Sequence, residues 1–362
     1  MRKILLLDAK AGMTLAKSIY SDDGRILLAS EITLKEAYLE KLKKLNIPAI
    51  YIKDDLLPCI EIPEVISETT RQAATSNVKE FFHQLSTKGI ADLKKVTKSV
   101  NHIIDELLTN PKVLVNLTDI RSHDNYTFAH CTNVCVLSVL TGITLGLNQL
   151  QLKELGVGAI LHDIGKITIS KNILNKPAKL TDDEFALVKE HSTSGFELTR
   201  KIEGISTLSA HVPFQHHEKV DGTGYPRGLK GKEIHLYAKI AAVADVFDAL
   251  VADRVYRHAF STHEASEVIA HGANVYFDKT ITHAFLKNIA IFPIGSLVRL
   301  NTGEIAVVVD VNRELHTRPI VKIISGPDKL AQGKGAELDL CKYPTVLIEK
   351  LIKPEDPEYF QI

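Results

Sequence analysis

The stretch GAILHDIGKI at residues 158–167 sets the tightest constraint on the fold. A segment with the apolar texture of a buried helix carries His162 and Asp163 side by side in its middle and Lys166 one turn further on. Burying an ionised carboxylate without compensation is costly, so any fold that buries this segment must also bring a countercharge to it.

The partners for that carboxylate are sought among other titratable residues in apolar or small-residue surroundings. In chain order these are His130 in TFAHCTNVCV, His162 with Asp163, His191, the pair His216 and His217, and Asp245 in AAVADVFDAL. One such histidine alone reads as a hydrogen-bonded core residue. Five histidines and two aspartates in one helical region read as metal ligands. A divalent cation supplies the charge that makes a buried aspartate tolerable, and it takes neutral imidazoles as ligands. Shared between two ions, the set divides naturally. His130, His162, Asp163 and Asp245 surround one ion, and Asp163, His191, His216 and His217 surround the other, with the Asp163 carboxylate as bridge.

This donor set suits Fe or Mn first and Zn as the alternative, rather than Mg or Ca, which prefer oxygen-only shells. Two dications set against two aspartates leave charge for a hydroxide and one phosphodiester. That is the arrangement of two-metal hydrolysis, with ions about 3.5–4 Å apart. Lys166, one helical turn from Asp163, is placed to touch the same phosphate.

The rest of the chain bounds this reading. Lys plus Arg and Asp plus Glu are 44 each, so no overall field favours a DNA or RNA polymer or an anionic membrane. Uninterrupted apolar runs stay far below the ~18–20 residues of a membrane span, so no membrane insertion and a cytoplasmic location are expected. The four cysteines form no C-x-x-C pair and read as packing residues.

At 362 residues the chain calls for more than one domain. Residues 1–54 mix strand-like runs (ILLLD, RILLA, AIYIK) with the amphipathic LKEAYLEKLKKLN, a small α+β unit for sensing or dimerisation. Residues 55–115 read as a helical connector, and 116–291 as a series of helices, one opened by a Thr181/Glu184 capping box. Residues 292–362 turn β-rich, with a hairpin signal at Asn301-Thr302-Gly303. The fold class expected is mainly α.

The order and spacing of these motifs resemble a known family. HDIGK (162–166) is similar to the HD motif and HHEKVDGTGYPRGLKG (216–231) to the GYP motif, with Gly224, Tyr225 and Pro226 as its name-giving triplet. DVFDALVADRVYR (245–257) is similar to a third characteristic stretch. On these residues the region 121–290 is identified as a member of the HD-GYP domains, a bacterial branch of the HD metal-dependent phosphohydrolases.

The resemblance implies an all-helical catalytic domain that hydrolyses cyclic di-GMP to linear pGpG, and in some members on to GMP. It implies metal-ligand roles for the residues assigned above and a phosphate contact for Lys166, with Lys166 and Asp163 as the catalytic pair. Asp248, Arg254 and Arg257 stand where members contact guanine or phosphate, and Tyr225 is carried with them as a substrate contact. Tyr126 replaces the glutamate with which some members hold a third metal, which favours a dinuclear centre. Val255 replaces a frequent proline and is expected to matter little. The GYP loop implies a GGDEF-domain protein as a candidate partner, and a second copy of the chain is another. Two alternatives stand beside the enzyme: a catalytically silent dinucleotide receptor or partner-binding module, and a hydrolase of another cyclic dinucleotide.

Overall fold

The computed structural model describes residues 2–20, 26–45, 47, 49–53, 64–110, 126–252, 259–312, 314–326, 335–352 and 356. They form two compact units: Met1–Glu64 with Leu114–Tyr126 and Ile289–Ile362, and Val65–Val113 with Thr127–Asn288.

In the first unit, β1 (Arg2–Leu5) pairs antiparallel with β4 (Ala49–Ile52), and β2 (Ile19–Tyr20) with β3 (Ile26–Leu28). Helix α1 (Glu36–Lys44) buries Leu39 and Leu42, three residues apart on one face, in a core with Leu15, Leu34 and Ile50. The C-terminal part is a five-stranded antiparallel sheet in the order β8-β7-β6-β5-β9. Its strands are β5 (Leu297–Leu300), β6 (Ile305–Asp310), β7 (Ile320–Ser325), β8 (Glu337–Asp339) and β9 (Ile348–Leu351). Alternation along β6 sends Ala306 and Val308 to one core and Ile305 and Val307 to another, so both faces are covered and the run reads as continuously apolar. The β5–β6 hairpin turns at Gly303, whose φ of +103° suits glycine.

The second unit is helical. Helix α2 (Glu68–Lys88) starts at the Ser67 N-cap and stops at Gly89, and α3 (Lys94–Thr109), which buries Val96, Val100, Ile103 and Leu107, packs on it. The segment expected as a connector therefore supplies two helices to this unit. There follow α4 (Tyr126–Thr144), α5 (Gln149–Ile160), the short α6 (Lys171–Leu174), α7 (Asp182–Thr199), α8 (Thr207–Gln215), α9 (Leu236–Val251), α10 (Thr262–His271) and α11 (Lys279–Leu286). Helix α5 packs on α3 and α8, α8 on α7 and α9, and α9 on α10 and α11. The Thr181/Glu184 capping box opens α7, with both reciprocal hydrogen bonds formed. Residues Thr127–Thr144 of α4 match a membrane span in length and apolarity, but 72% of that window is buried inside the protein, as befits a core helix.

One local expectation is corrected. The HD stretch does not run through the middle of a helix: α5 ends at Ile160, and a 3₁₀ helix, Ile164–Thr168, follows the turn that carries His162 and Asp163. Hydrogen bonds Ile164 N–H to Leu161 O (3.0 Å) and Lys166 N–H to Asp163 O (2.9 Å) show the tighter winding. Three residues per turn superimpose positions i and i+3, which brings Lys166 onto Asp163.

Candidate metal centre

Each expected ligand stands on a different part of the helical unit. His130 comes from α4, His162 and Asp163 from the turn after α5, and His191 from α7. His216 caps the C-terminus of α8 with His217 next to it, and Asp245 comes from α9. The structure brings all of them together. His130, His162 and Asp245 form one group whose ligand atoms lie within 4.8 Å of one another, His191, His216 and His217 a second, and His162, Asp163 and His216 a third that joins them. Asp163 Oδ1 lies 3.7 Å from His191 Nε2 and 4.0 Å from His216 Nε2, while its Oδ2 lies 3.4 Å from His162 Nε2. Asp245 Oδ1 lies 3.0 Å from His130 Nε2, and its Oδ2 lies 3.9 Å from His217 Nδ1.

Hydrogen-bond polarity tests whether these residues fit a metal. A carbonyl oxygen only accepts, so a ring nitrogen bonded to one must carry the hydrogen. His162 Nδ1 donates to Ala159 O (2.8 Å), His191 Nδ1 to Val188 O (2.6 Å) and His216 Nδ1 to Pro213 O (3.0 Å). Their Nε2 atoms are then bare lone pairs that face one another and two carboxylates. His162 Nε2 is buried without a hydrogen-bond partner, and His191 Nε2 and His216 Nε2 sit 3.4 Å apart. Lone pairs and carboxylates converging in a dry space repel unless a cation lies between them, so the donor set fits divalent metal.

The titration of the site agrees. Burial pushes His191 and His216 below the ordinary imidazole range and His217 down to about 3, which keeps these rings neutral. Burial would raise Asp163, but Lys166 and then His162 outweigh it and hold the carboxyl well below its usual range. His130 differs: burial would lower it, yet hydrogen bonds to Asp245 and Asp248 raise it to about 9. Lys166 Nζ is 2.6 Å from Asp163 Oδ2, with its side chain 33% exposed.

The structure places Asp248 elsewhere than at the substrate face expected for it. Its carboxylate is fully buried behind His130, where Oδ2 accepts from His130 Nδ1 at 2.7 Å and Oδ1 from Asn133 Nδ2 at 3.1 Å. Tyr225 stacks on His217 with ring centroids 4.7 Å apart and lies 6.4 Å from Phe185. Arg254 and Arg257 fall outside the described residues.

Sequence reading missed Glu218. Its buried carboxylate accepts the backbone N–H groups of Arg227 and Leu229, both at 2.8 Å, and so fastens the GYP loop beside His217. Two of that loop's glycines, Gly222 and Gly228, take φ of +85° and +67°. Gly224 serves differently: a Cβ there would stand 2.4–2.5 Å from backbone atoms of residues 217–219. An acidic residue directly after the histidine pair was the available signal for Glu218.

A helical unit that gathers an HD pair with histidines from neighbouring helices defines an HD-domain protein, and the HD domain profile matches residues 117–281. A second profile, the KOW domain associated with HD domain, matches 297–359. The chain is 33% identical over 307 residues to cyclic di-GMP phosphodiesterase PA4108 of Pseudomonas aeruginosa, covering 81% of this chain and 74% of that protein. It is 36% identical over 215 residues to a cyclic di-GMP phosphodiesterase of Thermotoga maritima, covering 57% of this chain and 58% of that one. The 3'3'-cGAMP-specific phosphodiesterase 1 of Vibrio cholerae is 36% identical over 168 residues, 46% of this chain and 38% of that protein. Among solved structures, Bd1817, an HDG"Y"P protein from Bdellovibrio bacteriovorus, shares the fold, with a TM-score of 0.52 and 17% identity over 78% of this chain and 97% of that one. The chain belongs to the HD-GYP family of HD-domain proteins.

Proposed function

We propose that this protein is a cyclic di-GMP phosphodiesterase that opens the cyclic dinucleotide to linear pGpG, with GMP as a further product. The convergence of His130, His162, Asp163, His191, His216, His217 and Asp245 on one buried point carries the reading. These residues, Asp163 included, would hold two divalent ions, Fe or Mn ahead of Zn. When bound, such ions activate water and clamp phosphoryl oxygens.

The chain's own groups do the rest. Lys166 sits at the edge of the site, a third exposed, where its ammonium can meet a phosphate oxygen as charge develops there. Arg254 and Arg257 are proposed contacts for guanine or phosphate. Phe185 is 44% exposed beside Tyr225, with Lys189 Nζ 4.7 Å above its ring, and this aromatic face suits a stacked base. The exposed Arg227 and Lys230 of the GYP loop support docking of a GGDEF-domain protein. A cytoplasmic location goes with this reading.

The deciding test is product formation from cyclic di-GMP by protein loaded anaerobically with Fe(II) or Mn(II), next to a panel of other cyclic dinucleotides. Binding without product would leave a silent receptor, and faster turnover of a hybrid dinucleotide would change the substrate. Lys166→Met is expected to slow turnover about 10²-fold while both ions stay bound. Metal analysis showing loss of ions in that variant would make Lys166 part of the site's assembly instead. Phe185→Ala is expected to raise KM for cyclic di-GMP about 5-fold or more with little change in melting temperature, since an exposed ring contributes little to the core. An unchanged KM would remove the base-stacking role.

A further inference from the structure

Helix α2 lies outside the matched HD profile, yet it reaches the metal centre through a directed chain of hydrogen bonds. Arg71 Nη1 is 2.6 Å from Asn133 Oδ1, Asn133 Nδ2 is 3.1 Å from Asp248 Oδ1, and Asp248 Oδ2 is 2.7 Å from His130 Nδ1. The polarity of each link is forced. A guanidinium can only donate, so the Asn133 carbonyl oxygen must face Arg71 and its amide nitrogen must face Asp248. A carboxylate can only accept, so His130 must donate from Nδ1 and turn Nε2 toward Asp245 and the centre.

Asn133 and Asp248 are 3% and 0% exposed, so water does not compete for the links from Asn133 through Asp248 to His130, while Arg71 is half-buried. The start of α2 is itself anchored, because Ser67 Oγ and Thr70 Oγ1 both donate to Glu106 of α3. A second contact joins α2 to α4 one turn further along, Thr75 Oγ1 to Thr132 Oγ1 at 3.1 Å; Thr75 Oγ1 also donates to the Arg71 backbone carbonyl at 3.0 Å, which leaves the Arg71 guanidinium untouched.

We propose that Arg71 is a positioning residue for the metal centre, fixing the Asn133 amide so that Asp248 orients His130 as a ligand. The proposal rests on the metal-centre reading above. Groups behind a ligating histidine typically change metal affinity about 10–100-fold when removed, and Arg71 stands two links further back.

The test is Mn(II) binding to metal-stripped full-length protein, followed by loss of the free-ion EPR signal and accompanied by thermal melting. Asn133→Leu is expected to weaken binding of one ion about 10-fold or more, and Arg71→Met about 3–10-fold. Arg71→Gln, which restores a donor to the Asn133 oxygen, should recover most of that loss. Thr75→Val, which removes the contacts of Thr75 Oγ1 to Thr132 and to the Arg71 backbone carbonyl but leaves the Arg71 guanidinium on Asn133, should stay within about 2-fold of wild type, as for a site off the ligand's support. Should Arg71→Met fail to fold, the contrast between Asn133→Leu and Thr75→Val decides. Equal affinity in Arg71→Met and wild type, or equal losses in Arg71→Met and Thr75→Val, overturns the relay while leaving the metal centre intact. A wild-type protein that takes up no Mn(II) overturns both.

Discussion

An Asp163→Ala protein is expected to hold at most one ion per chain and to hydrolyse cyclic di-GMP roughly 10³-fold more slowly than wild type. Asp163 is 1% exposed, and its two oxygens divide between the groups: Oδ1 faces His191 and His216, and Oδ2 faces His162. Removing the carboxylate takes away an anion that faces both groups and leaves Lys166 without its partner. Asp163→Asn separates shape from charge, because the amide keeps the volume but lacks the anion that holds a dication. Both variants should remain folded, since an apolar or amide group is easier to bury than a carboxylate. Metal analysis and product chromatography on purified protein check the result. Activity within tenfold of wild type in either variant would contradict the bridging role.

Alanine at Gly165 is expected to be nearly as damaging to turnover without touching a ligand. A Cβ there would lie 1.9 Å from His191 O and 2.7 Å from Gly195 N, backbone atoms of α7 that cannot rotate away. The 3₁₀ helix must lift off α7, which moves Asp163 and Lys166 away from His191, and displacements of this size commonly cost about 10²-fold in rate. Overpacking against backbone should also cost about 1–3 kcal/mol or somewhat more of stability. Urea unfolding together with the hydrolysis assay measures both. Wild-type turnover in Gly165→Ala would show that the close seat of this turn on α7 does not position the centre.

The cluster of histidines and aspartates was legible because such residues in apolar company are expensive to bury, so they stand out along the chain wherever they fall. The helical character of the central region and the β-rich end were legible for a similar reason. Periodicity and turn residues such as Gly303 act over a few positions and survive in one dimension. Asp248 was less legible. It lies three residues after Asp245 on α9, and whether such a carboxylate faces the ion or sits behind His130 depends on how α9 is rotated against α4. The role of α2 was equally hidden. Its residues read as a helical connector, and only packing shows that Arg71, Thr75 and Phe82 lie along α4 against Asn133, Thr132 and Phe128.

Residue chemistry in order along the chain settled the family and the helical class and singled out the clustered histidines and aspartates, since charge, donor type and local periodicity belong to residues and their near neighbours. The break of α5 before His162, the place of Asp248 behind its histidine and the reach of Arg71 were decided only on packing. Each depends on the distance and rotation between helices remote in sequence, and hydrogen bonds and steric contacts vary over tenths of an ångström that no local pattern encodes.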